Sequence, residues 1–291
     1  MNIIIGMTWK ELMRKKVLLM TMVMTVLFLI LFWFIARTLT GDNVASNTGA
    51  VDLVARYAQG SMLLTLGFFF GSFILAFLVI FSSFSAISGE AEIGIMQATL
   101  TRPVPRWKWY AGRWLGYVSF GVLYALVLYV SIVIVTATHT IVPGNWLIHL
   151  QSFLLYALTV PILITLSLLG STAFSALGNG VFMTMLYGAG WLGGMVEKVT
   201  SMMGLKPDVQ QTLSNITGLI SLLMPVDALQ RKMLAVMLGL KDLAGLVDVG
   251  ASLSSTMGLG QVVSTSFVVY AILYALVLLV WGMRRFQRKE L

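Results

Sequence analysis

Few side chains in this 291-residue sequence could do chemistry. Only 10% of its residues are charged, with 19 Lys and Arg, 11 Asp and Glu, two His and no Cys. The missing cysteines remove thiolate catalysis, disulfides and Cys-based metal sites. There is no H-E-x-x-H and no paired-glutamate motif, which argues against an intramembrane metalloprotease. A Ser-His hydrolase would need an embedded histidine, yet His139 and His149 sit beside a turn and read as interfacial. No G-x-x-x-x-G-K-[ST] occurs, so the chain has no P-loop of its own for ATP. The 18 methionines are scattered and read as adaptable packing instead of a soft-metal path. What remains is one crowded stretch, Ser88–Trp114, with two acids, four basic residues, two prolines and three tryptophans.

The rest of the chain is apolar. It is 58% hydrophobic with a mean hydropathy of +0.92, so lipid must be its main solvent. A hydrocarbon core about 30 Å thick needs roughly 20 apolar residues per helix. Six runs qualify: 17–36, 60–87, 114–137, 151–177, 181–196 and 262–283. They are continuously apolar instead of alternating, which selects helices over a barrel. The basic amino end resembles a secretory signal, but its apolar run is span-length and ends without a small-x-small cleavage pattern, so it is expected to remain as the first span. The expected fold is an all-α integral membrane protein, one transmembrane unit over 1–291 with six transmembrane helices. None of the six runs holds an ionisable residue by these boundaries, which weakens a gradient-driven transporter.

Twelve of the 19 basic residues form three clusters: Lys10, Arg14, Lys15, Lys16; Arg102, Arg106, Lys108, Arg113; and Arg284, Arg285, Arg288, Lys289. An even number of spans puts all three on one side, which the positive-inside rule makes cytosolic. The +8 net charge therefore reads as topology and attraction to anionic lipid heads, not as nucleic-acid binding. Both termini are then cytosolic in a multi-pass cell-membrane protein. Gly178-Asn179-Gly180 is expected as a tight turn touching the cytosol. The long segment 197–261 falls outside, with Val226, Leu229, Met233, Leu234 and Met237 at helical spacing and Asp227, Gln230 and Arg231 elsewhere. Amphipathic helices lying on or dipping into the outer leaflet are expected there, a second one at 211–223. Pro225 suits a helix start, and Gly190 and Gly194 form a G-x-x-x-G that can bring helices close.

Ahead of the first run, Ile5, Trp9, Leu12 and Met13 follow helical spacing, while Lys10, Arg14 and the Glu11/Lys15 pair lie opposite. Residues 1–16 are expected as an interfacial helix along the membrane, with Trp9 at headgroup level. In the crowded stretch, Ser88 or Gly89 could cap a short helix whose first turn carries Glu90 and Glu92. Pro103 and Pro105 would stop it, and Trp107, Trp109 and Trp114 would mark the return through the interface. The loop 88–106 is thus a short helix with a rigid proline elbow, held by spans on both sides.

Glu90-x-x-x-Gly94, an apolar stretch and Arg102-Pro103-Val104-x-Arg106, ahead of the third of six spans, resemble the permease subunits of type-2 ABC exporters. The resemblance extends over nearly the whole chain. With Met224-Pro225-Val226-Asp227 before the last span, it points towards the branch of nitrous-oxide-reductase maturation permeases. It implies that two permease copies or paralogues pair, that each docks on a cytosolic P-loop ATPase, and that ATP and Mg are bound there and not by this chain. It also implies that 88–106 is the coupling loop and 1–16 the elbow helix, with Trp9, Lys10, Leu12 and Met13 packing beside it. Glu90, Glu92, Gly94, Ile95, Met96, Leu100, Arg102, Pro103 and Arg106 become the ATPase-facing or loop-shaping positions. Glu90 and Arg102 would make ion pairs or caps, Ile95, Met96 and Leu100 would seat in an apolar groove, and Gly94 would allow close approach. The function implied is export of an amphiphilic or apolar cargo driven by ATP hydrolysed elsewhere. The alternative is a non-transporting membrane scaffold or sensor whose segment 197–261 binds a partner.

Overall fold

The computed structural model describes residues 1–40, 50–94, 105–142, 145–203, 207–239 and 264–288. Among these residues everything regular is helical: α1 (Asn2–Arg14), α2 (Lys16–Thr40), α3 (Ala50–Ser83), α4 (Ser88–Glu92), α5 (Arg106–Ala137), α6 (Trp146–Ala173), α7 (Ala176–Met203), α8 (Pro207–Leu223), α9 (Val226–Met237) and α10 (Thr265–Arg288). Five helical stretches, 16–40, 56–92, 106–137, 146–173 and 265–288, are long and apolar enough to cross a membrane. The bent pair 211–223 and 226–237, turning by 101°, could supply one more. The run 181–196, expected as a span, lies inside α7 but is not among the five. Its glycines, Tyr187 and Trp191 dilute its hydropathy, so the six-span expectation stands at five clear spans.

The boundaries shift in two informative places. The turn expected at Gly178–Gly180 is instead at Phe174–Ser175, and Asn179 is fully buried within α7. Its amide donates to the carbonyls of Phe84 at 2.6 Å and Ser167 at 2.8 Å, so it satisfies the backbone freed where α3 unwinds over 84–87. The third span begins at Arg106, not Trp114, because Pro105 at the N-cap supplies a pre-set φ of −57° and no donor is lost.

A cluster of buried apolar residues from α3, α5 and α6 forms the centre, with Phe68, Tyr156 and Leu128 among its fully buried side chains. Polar side chains in the spans mostly bond their own helix: Ser82 and Ser83 to Val79, Thr159 to Tyr156, Thr165 to Pro161. Helix α9, expected to lie on or dip into the outer leaflet, packs inside the described bundle. It does not lie on the surface: all but one of its residues are buried, including Asp227, Gln230, Arg231 and Lys232. Gly190 and Gly194 of α7 make room for it, since a methyl at Gly190 would fall 2.9 Å from Met224 and one at Gly194 would overlap the Asp227 carboxylate. The charge is tolerated because Asp227 pairs with Arg231 at 3.1 Å and Gln230 donates to the Phe68 carbonyl at 3.0 Å.

Candidate functional site

Five segments meet at one end of the bundle: α1, the α3–α4 junction, the start of α5, the α6–α7 turn and the end of α10. Buried Arg113, two turns into α5, sits at their centre. Its guanidinium pairs with Glu11 of α1 and Glu90 of α4 and lies 5.2 Å over the Trp109 ring. Lys15 bonds Glu11 at 2.9 Å and donates to the Ser82 carbonyl at 3.0 Å. Burial alone would raise the Glu11 carboxyl pKa; Arg113 and Lys15 together outweigh that and hold it below the usual carboxylate range.

The helix start at Ser88 is capped from outside. Ser171 of α6 accepts from the amides of Ile87 at 3.1 Å and Ser88 at 2.9 Å, so neither Ser88 nor Gly89 is the cap, which corrects the sequence expectation. Glu92 caps a different helix, accepting from the Ala176 amide of α7 at 2.8 Å, where a carboxylate suits the positive end. Gly94 has φ +72° with open space around its Cα. That backbone conformation favours glycine. Ile93 beside it is 69% exposed. Ile95, Met96, Leu100, Arg102 and Pro103 lie outside the described residues. On the far side of the loop, Arg106 donates to the Gln287 carbonyl at 3.3 Å and ties the loop to α10.

Helix α1 packs by a slightly different face than the spacing indicated. Thr8 and Leu12 are buried, whereas Met13 is 62% exposed and Lys10 is exposed. The reason is on α5: a methyl at Gly112 would lie 3.0 Å from Ile4, and one at Gly116 2.7 Å from Thr8, so the two glycines let the backbones approach. Trp9 is half-buried, donating to Ser119 at 2.8 Å with its ring 5.4 Å from Phe120. Of the three loop tryptophans only Trp107 stays exposed; Trp109 stacks on Phe286 at 5.3 Å and Trp114 donates to Thr165 at 2.8 Å.

Sequence reasoning singled out Glu90, Glu92 and Arg106 but counted Arg113 only as one of a basic cluster, and paired Glu11 only with Lys15. The signal for Arg113 was present: it shares a helical face with Trp109 and Gly116 and is the last charge of α5 before an uncharged, mostly apolar run. The far-end histidines are ordinary, with His149 near Tyr129 at 3.2 Å and His139 on the Val135 carbonyl at 2.9 Å.

Among the described residues this geometry offers no reacting group pair and no phosphate cradle; it offers a charged joint that links α1, α4 and α5. No curated protein matches the chain. Residues 3–291, nearly the whole length, match the family described as ABC-2 family transporter protein. With its long apolar helices, the chain belongs to that family and is an ABC-2 type membrane permease.

Proposed function

We propose that this permease exports an amphiphilic or apolar cargo using ATP hydrolysed, with Mg, by a separate cytosolic P-loop ATPase, and that residues 88–106 receive the mechanical work. The single observation that carries the reading is the Glu11–Arg113–Glu90 joint. A push on the loop at Glu90 is transmitted at once to the elbow helix and to the base of α5, because buried charges resist separation. The exposed Ile93, leading into Ile95 and Met96, would seat in an apolar groove of the ATPase, and Arg102 would anchor the loop's outer limb. Trp9, Lys10, Leu12 and Met13 belong to the elbow that follows the stroke.

In this reading α7 is the sixth span. It starts beside Glu92 and leads to α8, which meets the opposite end of α10 where Tyr270 and Tyr274 donate to Leu222 and Leu223. Its 28 residues reach about 42 Å at ~1.5 Å each, enough for the hydrocarbon core. The end bearing Arg113 is then cytosolic with both termini, two permease copies or paralogues act with two ATPase copies, and Met224–Asp227 favours the nitrous-oxide-reductase maturation branch. The described spans offer hydroxyl, aromatic and thioether groups, which favours a cargo without strong charge.

The test is affinity purification of the tagged permease from its native membrane, with and without Glu90→Ala and Arg102→Ala. A stoichiometric ATPase that is lost or uncoupled in the variants supports the reading. Recovery of no ATPase with the intact protein would sink it and turn attention to the 197–261 segment as a partner-binding scaffold.

A further inference from the structure

The last helix carries two unlike faces. Ala271, Ala275, Gly282 and Phe286 are buried against α5 and α6. On the other side Leu273, Val277 and Trp281 are exposed at successive turns, and the same stripe continues into Arg284 and Arg288, with Arg285 alongside. Together with Trp281 and Thr172 at the end of α6, these arginines line an open hollow of about 630 Å³. Three other basic side chains at this end are engaged: Arg113 and Lys15 with carboxylates, Arg106 with the Gln287 carbonyl. No ion pair or hydrogen bond joins Arg284, Arg285 or Arg288 to another described residue.

We infer that this hollow binds the headgroup of an anionic phospholipid, with its acyl chains lying along Leu273, Val277 and Trp281. Guanidinium forks match phosphate oxygens in pairs, and basic pockets between helices at a membrane surface take such headgroups. The dimensions fit one leaflet. From Leu273 to Arg284 the helix rises about 16 Å, close to half of a ~30 Å hydrocarbon core. Trp281 sits between the apolar stripe and the arginines, at the level where an indole prefers to lie. An acidic protein segment would use the arginines but leave the stripe unexplained, and a second copy of the same face would bring like charges together.

Native mass spectrometry of the full-length protein in mild detergent tests this, with dioleoyl phosphatidylglycerol or phosphatidylcholine titrated in. One phosphatidylglycerol per chain should bind in preference to phosphatidylcholine and resist about 10 mM inorganic phosphate. Arg284→Gln/Arg285→Gln/Arg288→Gln should weaken it by the order of a hundredfold, as expected when three charges near a lipid surface are removed. The matching triple lysine variant, which keeps the charge but loses the paired donors, should bind with an affinity between wild type and the glutamine variant, which separates lost recognition from lost folding. Arg14→Gln/Lys16→Gln, exposed at the same end, should leave it unchanged, which separates a built site from general basicity. Equal binding of both lipids, or undiminished binding by the glutamine variant, would overturn the inference. Displacement by phosphate alone would overturn it in favour of a free-anion site.

Discussion

Arg113 shows how one buried charge can hold three helical segments together. Its side chain is 8% exposed against 34% for Glu11 and 20% for Glu90, so removing the guanidinium leaves two carboxylates facing each other. Arg113→Gln is expected to cost about 2–3 kcal/mol, since the partners keep some access to solvent; thermal denaturation in detergent measures it. Glu11→Gln, on the more exposed side, should cost under about 1 kcal/mol. The pH dependence has a fixed sign. Glu11 holds its proton less tightly folded than unfolded, so its contribution is complete above the ordinary glutamate value of about 4.3 and is lost as pH falls through the lower folded value. Melting curves of wild type and Glu11→Gln should therefore differ by a constant amount from about pH 8 to 5 and converge in more acid solution. The sequence marked Glu90 by its place in a polar loop. It hid Arg113 because a basic residue near a span end has a ready explanation in topology.

At the scale of elements, the informative features are the places where two helices need a small residue or a borrowed hydrogen bond. Gly116→Val should push Thr8 and α1 away from α5. Because the chain has no native cysteine, Ile4→Cys/Gly112→Cys can report this: a Cβ at Gly112 lies 3.0 Å from that of Ile4, a small shift from disulfide spacing, so the pair should crosslink, and adding Gly116→Val should reduce the yield several-fold. Helix α9 presents the opposite lesson. Its spacing looked amphipathic, and an amphipathic pattern reads alike whether the polar face meets water or buried partners. The structure buries it, so Asp227→Ala should destabilise by about 3–5 kcal/mol, while Asp227→Ala/Arg231→Met should cost less than the two single changes summed. Unfolding of the three variants in detergent decides between a buried pair and a solvated face. The α4 cap could not be seen in advance at all, since Ser171 lies 83 residues from the amide it accepts. The misplaced Gly178–Gly180 turn has the same origin: Gly-Asn-Gly favours a turn locally, but Asn179 is needed inside to bond Phe84 and Ser167.

For the whole molecule, hydropathy and the placement of basic residues made the all-helical membrane class legible, because lipid imposes that pattern on every span. The span count was less legible where glycines and aromatics thin the signal in α7. A loop dense in charge within a chain poor in charge pointed to the family, and the match over 3–291 shows it. The central claim is that the joint at Arg113 passes work between the ATPase and the spans. The most direct measurement is cargo-stimulated ATP turnover by the purified permease–ATPase complex in lipid nanodiscs, wild type against Arg113→Gln. Coupling through the joint predicts that the variant still co-purifies with its ATPase but loses most of the cargo stimulation, with basal turnover retained. Full cargo stimulation in a stably folded Arg113→Gln complex would contradict it.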